Sequence, residues 1–272
     1  MIKELCIGSG GEKIPALMGG ALALRDNGLL KELETIAGSS AGAIVATLAL
    51  TGVTCGEVVH GMYILANVVW DFDISSLFTR FGVIAGHTVF VKLEDFICEH
   101  TGLPKGFTFS QLHAKYPVRL VITGYNVTNS KTDYFDYASY PNMCVIDALR
   151  ISCSIPFLFQ SCMYNDCMYV DGGCVDGIPL SCVGEGATVI QVGGGRTKNT
   201  PTSFRGFIDH FVQRLSSSSR EEMTDVTKYR IISVDFVDVG YFEGLGVLDF
   251  DLLEKCYYQS YNEVLSSSKS ES

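Results

Sequence analysis

The residues in this chain best suited to chemistry are Gly38-Ser39-Ser40-Ala41-Gly42, a G-x-S-x-G pentapeptide. A short strand-like run, Leu33-Glu34-Thr35-Ile36, precedes it, and a smooth apolar run suited to a helix, Ala43 to Leu50, follows it. In that strand–turn–helix setting the string is a candidate nucleophile elbow, with the Ser40 hydroxyl held on a strained bend at the positive end of a helix. The flanking glycines lack Cβ atoms, so the chain can turn sharply and neighbouring backbone can approach closely. Without its context the same string would equally mark a tight turn.

Serine is a weak nucleophile unless a base takes its proton and hydrogen-bond donors stabilise the oxyanion that forms. Candidates for both occur elsewhere. Gly10 and Gly11 lie in a glycine-rich loop, Gly8-Ser9-Gly10-Gly11-Glu12-Lys13, between a short strand and a helix opened by Pro15. Their N–H groups are able to converge on one cavity, and each such donor is typically worth roughly 100- to 1,000-fold in rate. The loop is not a dinucleotide fingerprint, since it lacks the third glycine, and no G-K-[ST] follows to make a P-loop. A plain turn or a simple phosphate loop remains the bland alternative. Asp171 follows the apolar run Met168-Tyr169-Val170 and precedes Gly172-Gly173. It is a candidate base projecting from a sheet edge, although Asp-Gly is also a common turn dipeptide.

A Ser-His-Asp triad is the competing arrangement. Of the five histidines (His60, His87, His100, His113 and His210), only His210 follows both Ser40 and Asp171, as the α/β-hydrolase order requires. It lies in an amphipathic helical stretch where ordinary packing is the commoner role. The elbow also comes after a single strand, too early for that fold.

The elements that must position these groups can be read along the chain. Residues 4–8 form a buried strand, Pro15 to about Asn27 a helix, and the elbow joins a second strand to a second helix. Strand, loop, helix, strand, helix in the first 50 residues implies a parallel sheet with crossover helices. Residues 55–100 are mostly helical. Val118–Gly124 is a strand, paired through a turn at 126–131 with Tyr134-Phe135-Asp136-Tyr137. Val145–Ser154 is a helix ended by Pro156. Ala187–Val192 is a strand meeting the glycine loop Gly193-Gly194-Gly195. Helices near 204–216 and 249–265 bracket the strand Tyr229–Val234. The serine-rich stretch 266–272 is expected to be disordered. No internal repeat or linker divides the chain, so a single domain over residues 1–265 is expected.

Composition bounds the function further. The 272 residues are 47% hydrophobic and 18% charged, which suits a globular chain with a sizeable core. A net charge of −10 opposes nucleic acid, and it opposes docking on anionic lipid by charge alone. No run reaches the roughly 18 apolar residues of a membrane-spanning helix, and the first residues lack a secretory h-region. A cytoplasmic location is expected. The ten cysteines are scattered, several within apolar runs (Cys6, Cys144, Cys153, Cys182), as in a reducing compartment. Only Cys162 and Cys167 flank a hairpin turn across which they could pair. No cysteine or histidine spacing suits zinc, so neither metal nor cofactor is expected.

Taken together these motifs resemble the patatin-like phospholipases. Gly10-Gly11-Glu12-Lys13 is similar to that family's G-G-G-x-[KR]-G oxyanion loop, Ser40 falls at its G-x-S-x-G serine, and Asp171-Gly172-Gly173 at its D-G-[GA] aspartate. The segment Ala148–Phe157 is similar to the stretch upstream of that aspartate, and the resemblance covers roughly residues 3–196. Two positions depart from the pattern: Ser9 replaces the first loop glycine, and Ile14 the last, where glycine allows φ > 0. The resemblance implies a three-layer α/β/α fold with a mainly parallel central sheet. It also implies a Ser40–Asp171 dyad without histidine, acting as a phospholipase A type acyl hydrolase on phospholipid or another acyl lipid. Gly10 and Gly11 would hold the oxyanion, with Ala41 as a further donor, and Lys13 would orient the loop or attract a lipid phosphate. The alternative is a non-catalytic or regulatory module of the same fold that binds lipid or a partner. Trp70, Phe72, Leu77, Phe78 and Phe81, with Arg80 among them, suggest either plain core or a cap making transient contact with a membrane surface.

Overall fold

The computed structural model describes residues 1–66, 71–193, 226–234 and 250–270. Strand β1 (Glu4–Ile7) leads into a glycine loop that tightens to a 3-10 turn at Gly11–Lys13. Helix α1 (Ile14–Asp26) follows, with Pro15 in its first turn, where a missing N–H loses no bond. β2 (Thr35–Gly38) and α2 (Ala41–Leu50) flank the elbow. Then come α3 (Cys55–Ala66), β3 (Gly82–Ile84), α4 (His87–Thr101) and α5 (Phe109–Lys115). A hairpin joins β4 (Arg119–Asn126) to β5 (Lys131–Phe135), and α6 (Val145–Ser152) precedes β6 (Phe157–Phe159). The last elements are β7 (Cys162–Tyr164), β8 (Cys167–Asp171), β9 (Thr188–Val192), β10 (Arg230–Val234) and α7 (Phe250–Ser270).

The main sheet runs β10-β9-β1-β2-β4-β8-β7, with β5 also on β4. β10, β9, β1, β2 and β4 run parallel to one another. β5 and β8 join β4 antiparallel, as β7 joins β8. The parallel strands at the centre have buried middles: Leu5, Cys6, Ile7, Ile36 and Ala37 have no exposed surface. That is why they read as continuous apolar runs rather than alternating ones. α1 is buried along Pro15–Leu24, between the sheet and α7. A Cβ on Gly19 would lie 2.3 Å from the Tyr257 carbonyl oxygen, so the two helices touch backbone to backbone there. The result is an α/β fold, a mixed and mostly parallel sheet flanked by helices.

How β4 shares its edges decides where the functional groups meet. Gly124 pairs with both Asp133 of β5 and Asp171 of β8, so these strands occupy opposite edges. Ile122 pairs with both Phe135 of β5 and Gly38 of β2, so β2 and β8 lie on the same edge. They run toward each other along it, and only the Thr123 position separates their ends.

Two expectations need correction. Cys162 and Cys167 do not pair: in the β7–β8 ladder Cys162 stands opposite Tyr169 and Cys167 opposite Tyr164, and both are free thiols. The serine-rich stretch after Leu265 is helical through Ser270, as a continuation of α7. Its serines support the turn they sit on, Ser266 and Ser267 Oγ donating to the Glu263 and Val264 carbonyls. Trp70, Gly194, Gly195, His210 with its expected helix, and the last two residues lie outside the described residues.

Candidate active site

β2 ends at Gly38 and α2 starts at Ala41, leaving Ser39 and Ser40 to make the bend. Ser40 takes φ 54° and ψ −125°, a strained conformation for a residue with a side chain. The glycines permit it. A Cβ on Gly38 would lie 2.4 Å from the Gly42 carbonyl oxygen, and one on Gly42 2.3 Å from that of Ile7 and 2.5 Å from that of Gly8. α2 is thereby seated directly on the end of β1 and on the start of the glycine loop.

Ser40 is 5% exposed, and its Oγ donates to Asp171 Oδ2 at 2.7 Å. Asp171, at the end of β8 and 1% exposed, accepts the Gly173 N–H at Oδ1 (2.6 Å). Burial pushes its carboxyl up to about 7, against the opposing pull of the Ser40 and Gly173 bonds. A Cβ on Gly173 would stand 3.0 Å from Asp171 Oδ1, 3.0 Å from Ser9 Cβ and 3.3 Å from Ser40 Cβ. Loop, elbow and aspartate therefore converge on one point, which only glycine leaves open.

Segment 152–154 ties both partners in place. Ser40 N–H donates to Ser152 Oγ (2.9 Å), and Asp171 N–H to the Ser154 carbonyl (2.9 Å). Thr123 Oγ1 donates to Ser39 Oγ (2.7 Å) across the gap between the β2 and β8 ends. Burial, and then the Asp171 charge, push the Cys153 and Cys174 thiols well up, which keeps them unreactive at neutral pH.

In the glycine loop, Gly8 N–H is bonded to the Ile190 carbonyl and Ser9 N–H to that of Gly177. Among the described residues the N–H groups of Gly10, Gly11 and Ala41 donate to no backbone carbonyl of a turn or loop. The left-handed position of the loop is Gly11, at φ 55°. Ile14 sits at φ −45°, ψ −45°, inside the right-handed region, so its β-branched side chain costs the loop nothing. Lys13 caps α1, and its backbone N–H holds the Gly10 carbonyl (3.0 Å). His100 Nδ1 lies 2.9 Å from Glu57 Oε1, and His113 stacks on Tyr137 with ring centroids 3.7 Å apart. Among the described residues the Ser40 hydroxyl donates to a carboxylate. Among the described residues no group of three or more His, Cys, Asp or Glu side chains is arranged to hold a metal, and no helix is long and apolar enough to cross a membrane.

The sequence profile described as patatin-like phospholipase matches residues 5–181, from β1 past the aspartate. The chain belongs to the patatin-like phospholipase family. It is 27% identical over 180 residues to a protein of Invertebrate iridescent virus 6 named "Probable lipid hydrolase", matching 63% of this chain. It is 28% identical over 185 residues to an uncharacterized protein of Acanthamoeba polyphaga mimivirus, matching 66% of this chain. The chain spans 60% and 61% of the lengths of these two relatives. Among solved structures, VipD from Legionella pneumophila is similar with a TM-score of 0.56 at 14% identity, over 98% of this chain and 67% of that one. ExoU of Pseudomonas aeruginosa, in complex with SpcU, is similar at 0.52 and 15% identity, over 99% of this chain and 52% of that one. At such identities these neighbours bear on the fold alone.

Three site residues of this patatin-like chain were not singled out from its sequence: Ser152, Ser154 and Thr123. Ser152 and Ser154 lie within the Ala148–Phe157 segment that carries the family resemblance, and their spacing at the end of an apolar helix, just before Pro156, is a further signal. Thr123 is one β-branched residue in a β-branched strand and carries no signal at all.

Proposed function

We propose that the protein is a lipid acyl hydrolase of phospholipase A type, cleaving carboxylic esters of phospholipids through Ser40 and Asp171. The observation that carries this reading is the 2.7 Å hydrogen bond from the Ser40 hydroxyl to a buried carboxylate whose affinity for a proton is raised. An ordinary carboxylate is too weak a base for serine, and one titrating near 7 is matched to taking and returning a proton at neutral pH.

Asp171 accepts the Ser40 proton as Oγ bonds to the ester carbonyl carbon. The negative charge on the carbonyl oxygen is held by the Gly10, Gly11 and Ala41 N–H groups, fixed in advance by the loop and the start of α2. Collapse of this intermediate breaks the ester C–O bond, and the leaving alkoxide takes the proton from Asp171. Water then attacks the acyl-serine, losing a proton to the same carboxylate. Collapse breaks the acyl C–Oγ bond, Ser40 Oγ takes the proton back from Asp171, and the fatty acid departs. The Ser40 N–H is bonded to Ser152, which supports Ala41 as the elbow's donor.

Mass spectrometry of products from mixed phospholipids, with parallel labelling by a fluorophosphonate, tests the proposal. Wild type should release fatty acid and lysophospholipid and be labelled at Ser40, and Ser40→Ala and Asp171→Asn should do neither. Turnover by either folded variant at the wild-type rate would refute the dyad.

A further inference from the structure

A cluster of exposed apolar side chains on and around the β3–β6 pair, joined to the proposed site through segment 154–157, takes no part in the chemistry above. Phe72, Ile74, Phe78, Phe81 and Phe157 are between 46% and 82% exposed. Backbone pairing brings them together. β3 runs parallel to β6 with Gly82 opposite Phe157, the Phe157 N–H donates to the Phe81 carbonyl (2.9 Å), and Phe72 bridges Ile84. A Cβ on Gly82 would lie 2.0 Å from the Phe159 carbonyl oxygen, so the two strands are pressed together. Val83, Ile84 and Leu158 form a small core beneath, with Leu77 packed on it. The platform is thus built and anchored, and its large aromatics are left in solvent.

Two features argue against incidental exposure. Phe81 and Phe157, hydrogen-bonded neighbours, hold φ +60° and +69°, a left-handed conformation that bulky residues adopt only at a cost. The fold alone would be better served by glycine at both. The platform is also continuous with the dyad: Phe157 is three residues past Ser154, whose carbonyl accepts the Asp171 N–H.

We infer that this platform docks the protein on a zwitterionic phospholipid surface. The choice of occupant rests on the proposed reaction, since esters of aggregated lipid are met at an interface. Charge narrows it further. The exposed rim residues Asp71, Asp73 and Arg80 carry both signs, as does a layer of phosphate and ammonium headgroups. The chain's net charge of −10 repels an anionic layer.

Binding is measured on the Ser40→Ala protein, so that hydrolysis does not alter the lipid, by co-sedimentation with phosphatidylcholine vesicles. The parent binds, Phe78→Ser weakens binding roughly tenfold, and Phe78→Ser with Phe157→Ser weakens it further. Vesicles rich in phosphatidylserine bind more weakly than phosphatidylcholine. Phe78 is 82% exposed, so its replacement leaves packing intact, which an unchanged thermal midpoint verifies. The inference is overturned by a parent that does not bind, by binding indifferent to both substitutions, by a preference for phosphatidylserine, or by a dimer that Phe78→Ser dissolves. Vesicle binding that depends on Phe78, in a protein whose wild type cleaves no ester, upholds the surface and sinks the reaction. Cleavage with indifferent binding does the reverse.

Discussion

Asp171→Asn should remove activity and add stability at the same pH. Asp171 is 1% exposed, and burial raises its carboxyl from an ordinary value of 3.8 to about 7. A group raised on folding binds its proton more tightly in the folded state than in the unfolded one. Its contribution to stability is therefore whole below pH 3.8 and is lost as pH rises, until the folded carboxyl has titrated near 7. Each pH unit in that window is worth about 1.4 kcal/mol, so the full passage removes about 4 kcal/mol. Asparagine has the same shape, can accept from Gly173 through Oδ1, and never charges. Relative to wild type, the variant should gain up to about 4 kcal/mol between pH 4 and pH 8. At pH 8 that is a rise in unfolding midpoint on the order of 10 °C. Urea and thermal unfolding of both proteins at pH 4, 6 and 8, at constant ionic strength, measure it. Ester hydrolysis at pH 8 should be lost in the variant, and in wild type kcat/KM should climb through about pH 7 to a plateau. A stability difference that stays constant across the window would refute the reasoning, because the carboxyl would then not be held against its own charge.

Gly173→Ala places a methyl 3.0 Å from Asp171 Oδ1 and 3.3 Å from Ser40 Cβ, so hydrolysis of even short soluble esters should fall 100-fold or more, on the order expected for a misplaced reacting pair. Circular dichroism should show a folded protein and fluorophosphonate labelling should slow in parallel. Ser152→Ala leaves the buried Ser40 N–H without its acceptor, a loss of about 1–3 kcal/mol that should appear in kcat more than in KM. Ser152→Thr, which restores the hydroxyl, should recover the rate, and a KM effect alone would show that Ser152 does not position the elbow.

Much of the fold was legible because local patterns there agree with tertiary demands. β1 and β2 are buried on both faces, and each carries a short apolar stretch without alternation, Leu5-Cys6-Ile7 and Ile36-Ala37, although β2 starts two residues later than the run 33–36 suggests. α1 opens on Pro15 and closes at Asn27-Gly28, with Gly28 at φ 72°, so its punctuation matches its ends. The hairpin of β4 and β5 follows from β-branched residues around a polar turn. Composition misled at the C-terminal end, where serines suggested disorder but α7 continues. Val264, 4% exposed, still packs on the core one turn before the serines, and the helix runs on from that anchor. The aromatic run 72–81 also gave no single answer from spacing. In the structure Leu77 packs inward while Phe72, Phe78 and Phe81 stay outside, a division set by the β3–β6 pairing rather than by any period in the sequence.

The candidate site was legible in its parts and not in its assembly. Each motif announces a local geometry: a bend at Ser40, a loop at Gly10-Gly11, a carboxylate before two glycines. That Ser40 and Asp171 meet depends on a long-range fact, the sharing of one edge of β4 by two strands of opposite direction. β2 ends opposite Ile122 and β8 ends opposite Gly124, so the elbow and the aspartate face each other across Thr123. Strand propensity carries no information about such an arrangement, because register is fixed by burial on both faces and by the turns that deliver each strand. A slip of one residue in β8 would carry Asp171 to the other face of the sheet and break the 2.7 Å bond, leaving every motif intact in the sequence. Thr123, whose hydroxyl bonds Ser39 and whose Cβ lies 2.8 Å from where a Cβ on Gly172 would stand, is the position where that register is most closely constrained.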